Sequence, residues 1–148
     1  MIYIGSDHRG FELKNFLKEK LKATGEEVED LGYFNYDPED DYPEIAFKLG
    51  QKVIEIESNL GILICGSGAG VCFSANKVKG VRASQADQAD LIKKAREDDD
   101  VNILCLAADF IQPDQVFLIV QAFLTTKFNP QPRRLRRLKS VRDFEKNN

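Results

Sequence analysis

The chain has 148 residues, 43% hydrophobic and 30% charged, with a net charge of −3. That is chain enough for one domain with a full core, and the composition is that of a globular protein, not a fibre, a disordered tail or a membrane span. Three cysteines, Cys65, Cys72 and Cys105, are too few and too scattered for a disulfide framework or zinc ribbon. The N-terminus enters a strand with no signal segment, so a reducing cytoplasm is the expected setting.

Met1 to Ile4 predicts a short apolar strand, followed by the loop Gly5-Ser6-Asp7-His8-Arg9-Gly10. Phe11, Phe16, Leu17 and Leu21 mark the apolar side of a first helix, with Lys14, Lys18, Glu19 and Lys20 expected to face water. Glu27 to Leu31 predicts a second strand, and residues 32–41 an aromatic and acidic loop. Asp41-Tyr42-Pro43-Glu44 predicts a helix entry with proline near the first turn, and Ile45, Ala46, Leu49, Val53 and Ile54 continue it. Ile62 to Cys65 reads as a strand buried on both faces, and a helix starts near Val71 and Phe73. Gly80 to Ala83 predicts a strand, Ala86 to Glu97 a helix, and Val101 to Leu106 a fifth strand. Pro113 opens a helix through Phe123, and prolines at 130 and 132 separate it from a basic C-terminal helix, about 133–146.

Strands alternating with helices imply the α/β class: a single-domain, three-layer α/β/α sandwich around a Rossmann-like five-stranded parallel sheet. Ligands bind such sheets at the carboxyl ends of strands, near the point where strand order reverses. Asp7-His8, Cys65-Gly66-Ser67 and Ala83-Ser84 are expected at such ends, and Asp98-Asp99 in the loop leading into the fifth strand.

The stretch that carries chemistry is Cys65-Gly66-Ser67-Gly68-Ala69-Gly70. A glycine-rich turn between a buried strand and a helix aims several backbone N–H groups at one spot, and the helix dipole adds positive potential. Such a turn binds a phosphate or an oxyanion formed during reaction, and a thiol at its mouth is in the setting that favours thiolate. Plainer readings stand beside this one. Cys65 could be an inert buried thiol, as Cys72 and Cys105 are expected to be, and Ser67 could do no more than satisfy the turn. The glycines could form a nucleotide turn, but the spacing is G-x-G-x-G after the third strand, not G-x-G-x-x-G after the first. The acidic run Glu97-Asp98-Asp99-Asp100 could be a solvated loop. The basic tail could be a nucleic-acid patch, but it has no interleaved aromatic beyond Phe144 and the rest of the chain is acidic.

Gly5-Ser6-Asp7-His8, Asp41-Tyr42-Pro43, the stretch from Gly61 to Gly70, Ala75-Asn76-Lys77, Gly80-Val81-Arg82-Ala83 and Asn102-Ile103-Leu104, in that order, resemble the ribose-5-phosphate isomerase B and galactose-6-phosphate isomerase (RpiB/LacAB) family. The resemblance covers roughly Met1 to Arg142. It implies an aldose–ketose isomerisation of a sugar phosphate with no metal or organic cofactor. By that likeness Cys65 moves a proton between adjacent sugar carbons. The backbone of Gly66, Gly68, Ala69 and Gly70 holds the enediolate oxygens, and Ser67 assists. Asp7 and Tyr42 contact the sugar, and His8, Arg133 and Arg137 hold the phosphate. The likeness further implies a homodimer or larger assembly with sites at the subunit boundary, the C-terminal helix at the interface, and no nucleic-acid or membrane partner.

One position departs from the family pattern. A ring-opening His, often followed by Asn, corresponds here to Asp98 and Asp99, and His8 is the only histidine. Three readings stay open. Asp98 opens the ring, its pKa raised by the neighbouring carboxylates. The substrate arrives already open, or opens without help; a hexose 6-phosphate such as allose or galactose 6-phosphate is the alternative substrate. Or the protein binds sugar phosphates and turns them over weakly. The expected activity is ribose 5-phosphate to ribulose 5-phosphate.

Overall fold

The computed structural model describes residues 1–148. Five strands, β1 (Ile2–Ser6), β2 (Val28–Gly32), β3 (Leu60–Cys65), β4 (Ala83–Gln85) and β5 (Ile103–Ala107), make one all-parallel sheet in the order β2-β1-β3-β5-β4. The helices are α1 (Phe11–Ala23), α2 (Tyr42–Ile54), α3 (Ala69–Ala75), α4 (Ala89–Asp99), α5 (Pro113–Thr125) and α6 (Pro132–Lys146), with one 3-10 turn at His8–Gly10. This is the expected α/β/α sandwich.

Side-chain alternation along the central strands decides which layer each residue meets. Ile4, Ile62, Ile64, Leu104 and Leu106 pack into a core with Leu17 of α1, Ile92 of α4 and Phe123 of α5. Tyr3, Leu63, Cys65, Ile103 and Cys105 point the other way, against Ala46 and Leu49 of α2 and Val71 and Ala75 of α3. Cys65, the last residue of β3, therefore emerges on the α2–α3 side. The registers pair Ser6 of β1 with Ile64 of β3, so the residues after these two strands start side by side. Between β1 and β3 the strand order reverses, and that is where such sheets leave a crevice.

Four sequence expectations are corrected. β4 starts at Ala83, not Gly80, because Gly80 sits at φ +88 in a turn; Ala83 and Ser84 thus begin that strand instead of ending it. α4 starts at Ala89 and runs through Asp99, so Asp98 and Asp99 lie on its last turn, not in a loop. β5 is shifted to Ile103–Ala107. Lys14 does not face water: it is fully buried.

Lys14 belongs to the buried stripe of α1 with Leu13, Leu17 and Leu21. Its Nζ donates to Asp30 Oδ1 at 3.1 Å and to the Tyr33 carbonyl at 2.5 Å. Burial pulls its pKa down, and the Asp30 carboxylate recovers only part of that. Burial works against Asp30 too, but Lys18, the Gly32 N–H and Lys14 together hold its carboxyl below the usual range. The difference is one of partners: Asp30 has two cations and an N–H, while Lys14 shares one carboxylate. A helical pattern cannot show this, because the partner that makes a buried lysine tolerable comes from β2. Lys14→Ala would leave Asp30 with Lys18 alone and free the carbonyl that starts the 33–41 loop. The expected loss is about 3 kcal/mol of stability. Urea unfolding would measure it, and an unchanged midpoint would remove Lys14 from the structural account.

Candidate active site

Asp7, next after β1, caps the 3-10 turn: its Oδ1 accepts the N–H groups of Arg9 at 3.0 Å and Gly10 at 3.2 Å. Burial pushes its carboxyl pKa up, against the pull of those N–H groups. The next residue turns aside. His8 donates its backbone N–H to Asp40 Oδ1 at 2.8 Å, and its Nδ1 lies 2.7 Å from the same oxygen. That hydrogen bond raises the imidazole pKa above its ordinary value, outweighing desolvation. The imidazolium form is thus favoured relative to a free imidazole.

After β3 the chain makes the glycine turn. Gly68 sits at φ +75, the left-handed region open to glycine, and its N–H donates to Cys65 Sγ at 3.2 Å. Ser67 Oγ accepts the Ala69 N–H at 3.3 Å, and the Ser67 carbonyl accepts Gln85 Nε2 at 2.6 Å. The backbone N–H groups of Gly66, Ser67, Gly70 and Val71 have no hydrogen-bond partner within the chain. Four free donors at a strand end and helix start are what an oxyanion needs. At Gly70 the glycine is spatial: an added Cβ would lie 2.7 Å from Cζ of Tyr42, so the tyrosine ring rests on the helix start. Tyr42 also meets Phe73 edge to face at 6.0 Å.

These groups enclose a cavity of about 540 Å³, lined by Asp7, Tyr42, Cys65, Gly66, Ser67, Ala69 and Gly70. Seven of the residues singled out in the sequence thus meet at one place, with Gly68 beneath holding the sulfur. Cys65 is 4% exposed and lines the cavity. The sequence reading missed Arg9, Asp109, Phe73 and Phe110, which also line it. Asp109 follows the end of β5, so the strand-end rule applied to that strand as well would have found it.

The remaining residues stand elsewhere in the protomer. Asp98, Arg133 and Arg137 line a separate, mostly polar cavity of about 710 Å³ between α4 and the start of α6. Asp98 is 2.6 Å from Arg134 Nη2 and 3.2 Å from Lys94 Nζ. The carboxylate crowd expected around it is not assembled, because Asp100 turns to Arg82 and Arg96. Asp99 lines a third pocket, beside Leu138 and Val141 of α6. Of the other thiols, Cys105 is buried and its pKa is pushed well up by burial, while the half-buried Cys72 is held lower by its hydrogen bond with Cys105.

A parallel sheet of this strand order, with a thiol at the end of β3 over free N–H donors, defines a class. The chain belongs to the ribose/galactose isomerase family, whose model matches residues 2–141. A Mycoplasma pneumoniae protein named "Probable ribose-5-phosphate isomerase B" is 45% identical over 127 residues, covering 86% of this chain and 84% of that protein. Ribose-5-phosphate isomerase B of Mycolicibacterium paratuberculosis is 34% identical over 145 residues, covering 98% and 91%. The crystal structure of ribose-5-phosphate isomerase B from Mycoplasma genitalium with bound ribulose-5-phosphate superposes with a TM-score of 0.95 at 41% identity, covering 99% of this chain and 97% of that one. No helix is long and apolar enough to cross a membrane.

Proposed function

We propose that this chain interconverts ribose 5-phosphate and ribulose 5-phosphate, with Cys65 as the base. The observation that carries the reading is the Cys65 sulfur beside four unpartnered N–H groups in one cavity, in a chain of this family. In the forward direction the sulfur takes the C2 proton of the open-chain aldose, and the C2–H electron pair forms the C1=C2 bond of a cis-enediolate. Negative charge moves onto O1, where the N–H groups of the turn receive it. A proton shifts from the C2 oxygen to the C1 oxygen, a transfer that the Ser67 hydroxyl can relay. The sulfur returns its proton to C1 and the C2 carbonyl closes. Asp7 accepts from a sugar hydroxyl, and Tyr42 forms the wall that the sugar lies against.

A second copy of the chain completes the site, as a homodimer or larger assembly. Two observations support this. The Cys65 cavity is rimmed by Phe73 and Phe110, which are 56% and 79% exposed, and α6 carries exposed Leu135, Val141 and Phe144 beside its arginines. Arg133 and Arg137, one helical turn apart, then reach the phosphate from the partner, and Asp98 and Asp99 approach the sugar from the same side.

The test is turnover in deuterated water. Purified protein with ribose 5-phosphate should yield ribulose 5-phosphate and place solvent deuterium on the sugar, read by NMR. No turnover and no exchange would sink the reading. Faster turnover of allose or galactose 6-phosphate would move the substrate to a hexose phosphate.

A pH prediction follows from His8, with its neighbours Asp40, Asp7 and Arg9. The phosphate prefers the imidazolium, and the raised pKa, caused first by the Asp40 hydrogen bond, carries that form to higher pH than a free imidazole would. As pH climbs past the folded pKa the proton leaves, so KM should rise, by up to about tenfold, with kcat less affected. Asp40→Asn removes the main cause of the shift and should move that rise to lower pH. A KM profile that is identical in the variant would refute the His8 role.

A further inference from the structure

The cavity around Cys65 receives one cation from its own chain, Arg9. Arg9 is the middle residue of the 3-10 turn, and its N–H is pinned by Asp7. Its guanidinium crosses to the end of β5, where one Nη bonds Asp109 Oδ2. Asp109 is fixed in turn: its N–H donates to the Gly66 carbonyl at 3.1 Å, and the preceding Ala108 N–H donates to the Cys65 carbonyl at 2.9 Å. The two side chains lie directly over Gly66. A Cβ there would fall 2.5 Å from Arg9 Nε and 2.7 Å from Asp109 Oδ2, so the ion pair needs glycine at that position. The guanidinium is thus anchored through backbone that belongs to the catalytic turn itself.

Asp109 occupies one corner of the fork. The other guanidinium N–H groups have no partner in the chain, and the side chain is 58% exposed. The pair also lines an adjoining cavity of about 510 Å³, so it forms the wall between that space and the one holding the sulfur. A rigidly held guanidinium with unused donors recognises a phosphate by charge-assisted, two-point hydrogen bonds. An exposed ion pair of this kind contributes little stability, so the fold alone gives little reason for it.

We propose that Arg9, held by Asp109, grips the phosphate of the substrate within the protomer that supplies Cys65. This rests on the sugar-phosphate isomerase reading. Each site then has a guanidinium of its own for the phosphate, beside the His8 imidazolium, before any partner chain adds to it, and Arg9 is a binding residue while Asp109 positions it.

The experiment compares wild type, Arg9→Gln and Arg9→Lys, using ribose 5-phosphate as substrate and inorganic phosphate as competitive inhibitor. In Arg9→Gln the KM and the phosphate Ki should rise together by about tenfold or more, with the KM effect exceeding that on kcat, and Arg9→Lys should recover part of both. A phosphate Ki that rises less than about threefold overturns the proposal, whatever happens to turnover, because Arg9 would then only shape the turn. If the wild type isomerises no sugar phosphate, the isomerase reading falls on its own. Calorimetric Kd values for inorganic phosphate on wild type and Arg9→Gln then decide the Arg9 assignment separately.

Discussion

Cys65→Ala should lower kcat on ribose 5-phosphate by on the order of 10³-fold or more, the scale of a lost proton-transfer base. Solvent deuterium should stop entering the sugar at a measurable rate. The other acid–base groups in the cavity are engaged or misplaced. Asp7 uses its Oδ1 on two backbone N–H groups, and Asp109 holds Arg9. Tyr42 lies flat on Gly70. Sγ meets only the Gly68 N–H, a donor that suits a sulfur carrying negative charge. The fold should survive the change. Cys65 ends its strand at the edge of a core, so losing one sulfur should cost about 1 kcal/mol, and urea unfolding can separate that from the kinetic loss. A variant that keeps a tenth of wild-type turnover would transfer the base role to another group.

On the proposed mechanism the free N–H groups should make a second contribution at the same place. Preorganised donors to a developing oxyanion contribute ~3–4 kcal/mol each when removed singly. They cannot be deleted by side-chain substitution, but their setting can. Gly68 sits in left-handed backbone, and any Cβ there would also meet Gln85 and the backbone of Leu106 at 3.1 Å. The turn depends on that glycine, which is why a sequence motif of three spaced glycines carried so much information.

What the sequence made legible follows the same logic. Short-range patterns revealed the parallel sheet, the turn after β3 and the Asp7 loop after β1, because strand burial and glycine spacing are local properties. Long-range pairing was out of reach. Lys14 looked like a surface lysine until Asp30 of β2 and the Tyr33 carbonyl came over it. The sequence singled out His8 and passed over Arg9 beside it, yet Asp40 claims the first from 32 residues away and Asp109 the second from 100 residues away. Asp98 looked like one of four crowded carboxylates. On the helix its neighbours diverge, and Arg134 reaches it from α6. The likeness to a family named Arg133 and Arg137 but could not say which copy of the chain they serve.

That last question has a decisive experiment. Within one protomer Arg133 and Arg137 line a different cavity from the sulfur. If they serve the Cys65 of a partner, two inactive chains should rescue each other. One chain carries Cys65→Ala; the other carries Arg133→Ala with Arg137→Ala. Each homodimer should be near background, the first for want of a base and the second for want of two charge-assisted phosphate contacts. Co-expressed with different tags and purified through both, the mixed dimer has one site with an intact sulfur and the partner's intact arginines, and one site lacking both. By two-fold symmetry it should show about half of wild-type activity per dimer. Were the arginines to act in their own chain, neither site of the mixed dimer would be whole and activity would stay at background. The Arg9 contact, being within one chain, does not alter this count. It should instead leave the double-arginine variant with a residual affinity for inorganic phosphate, read by calorimetry, that Arg9→Gln weakens further, because one guanidinium would remain where the two tail guanidiniums had been removed.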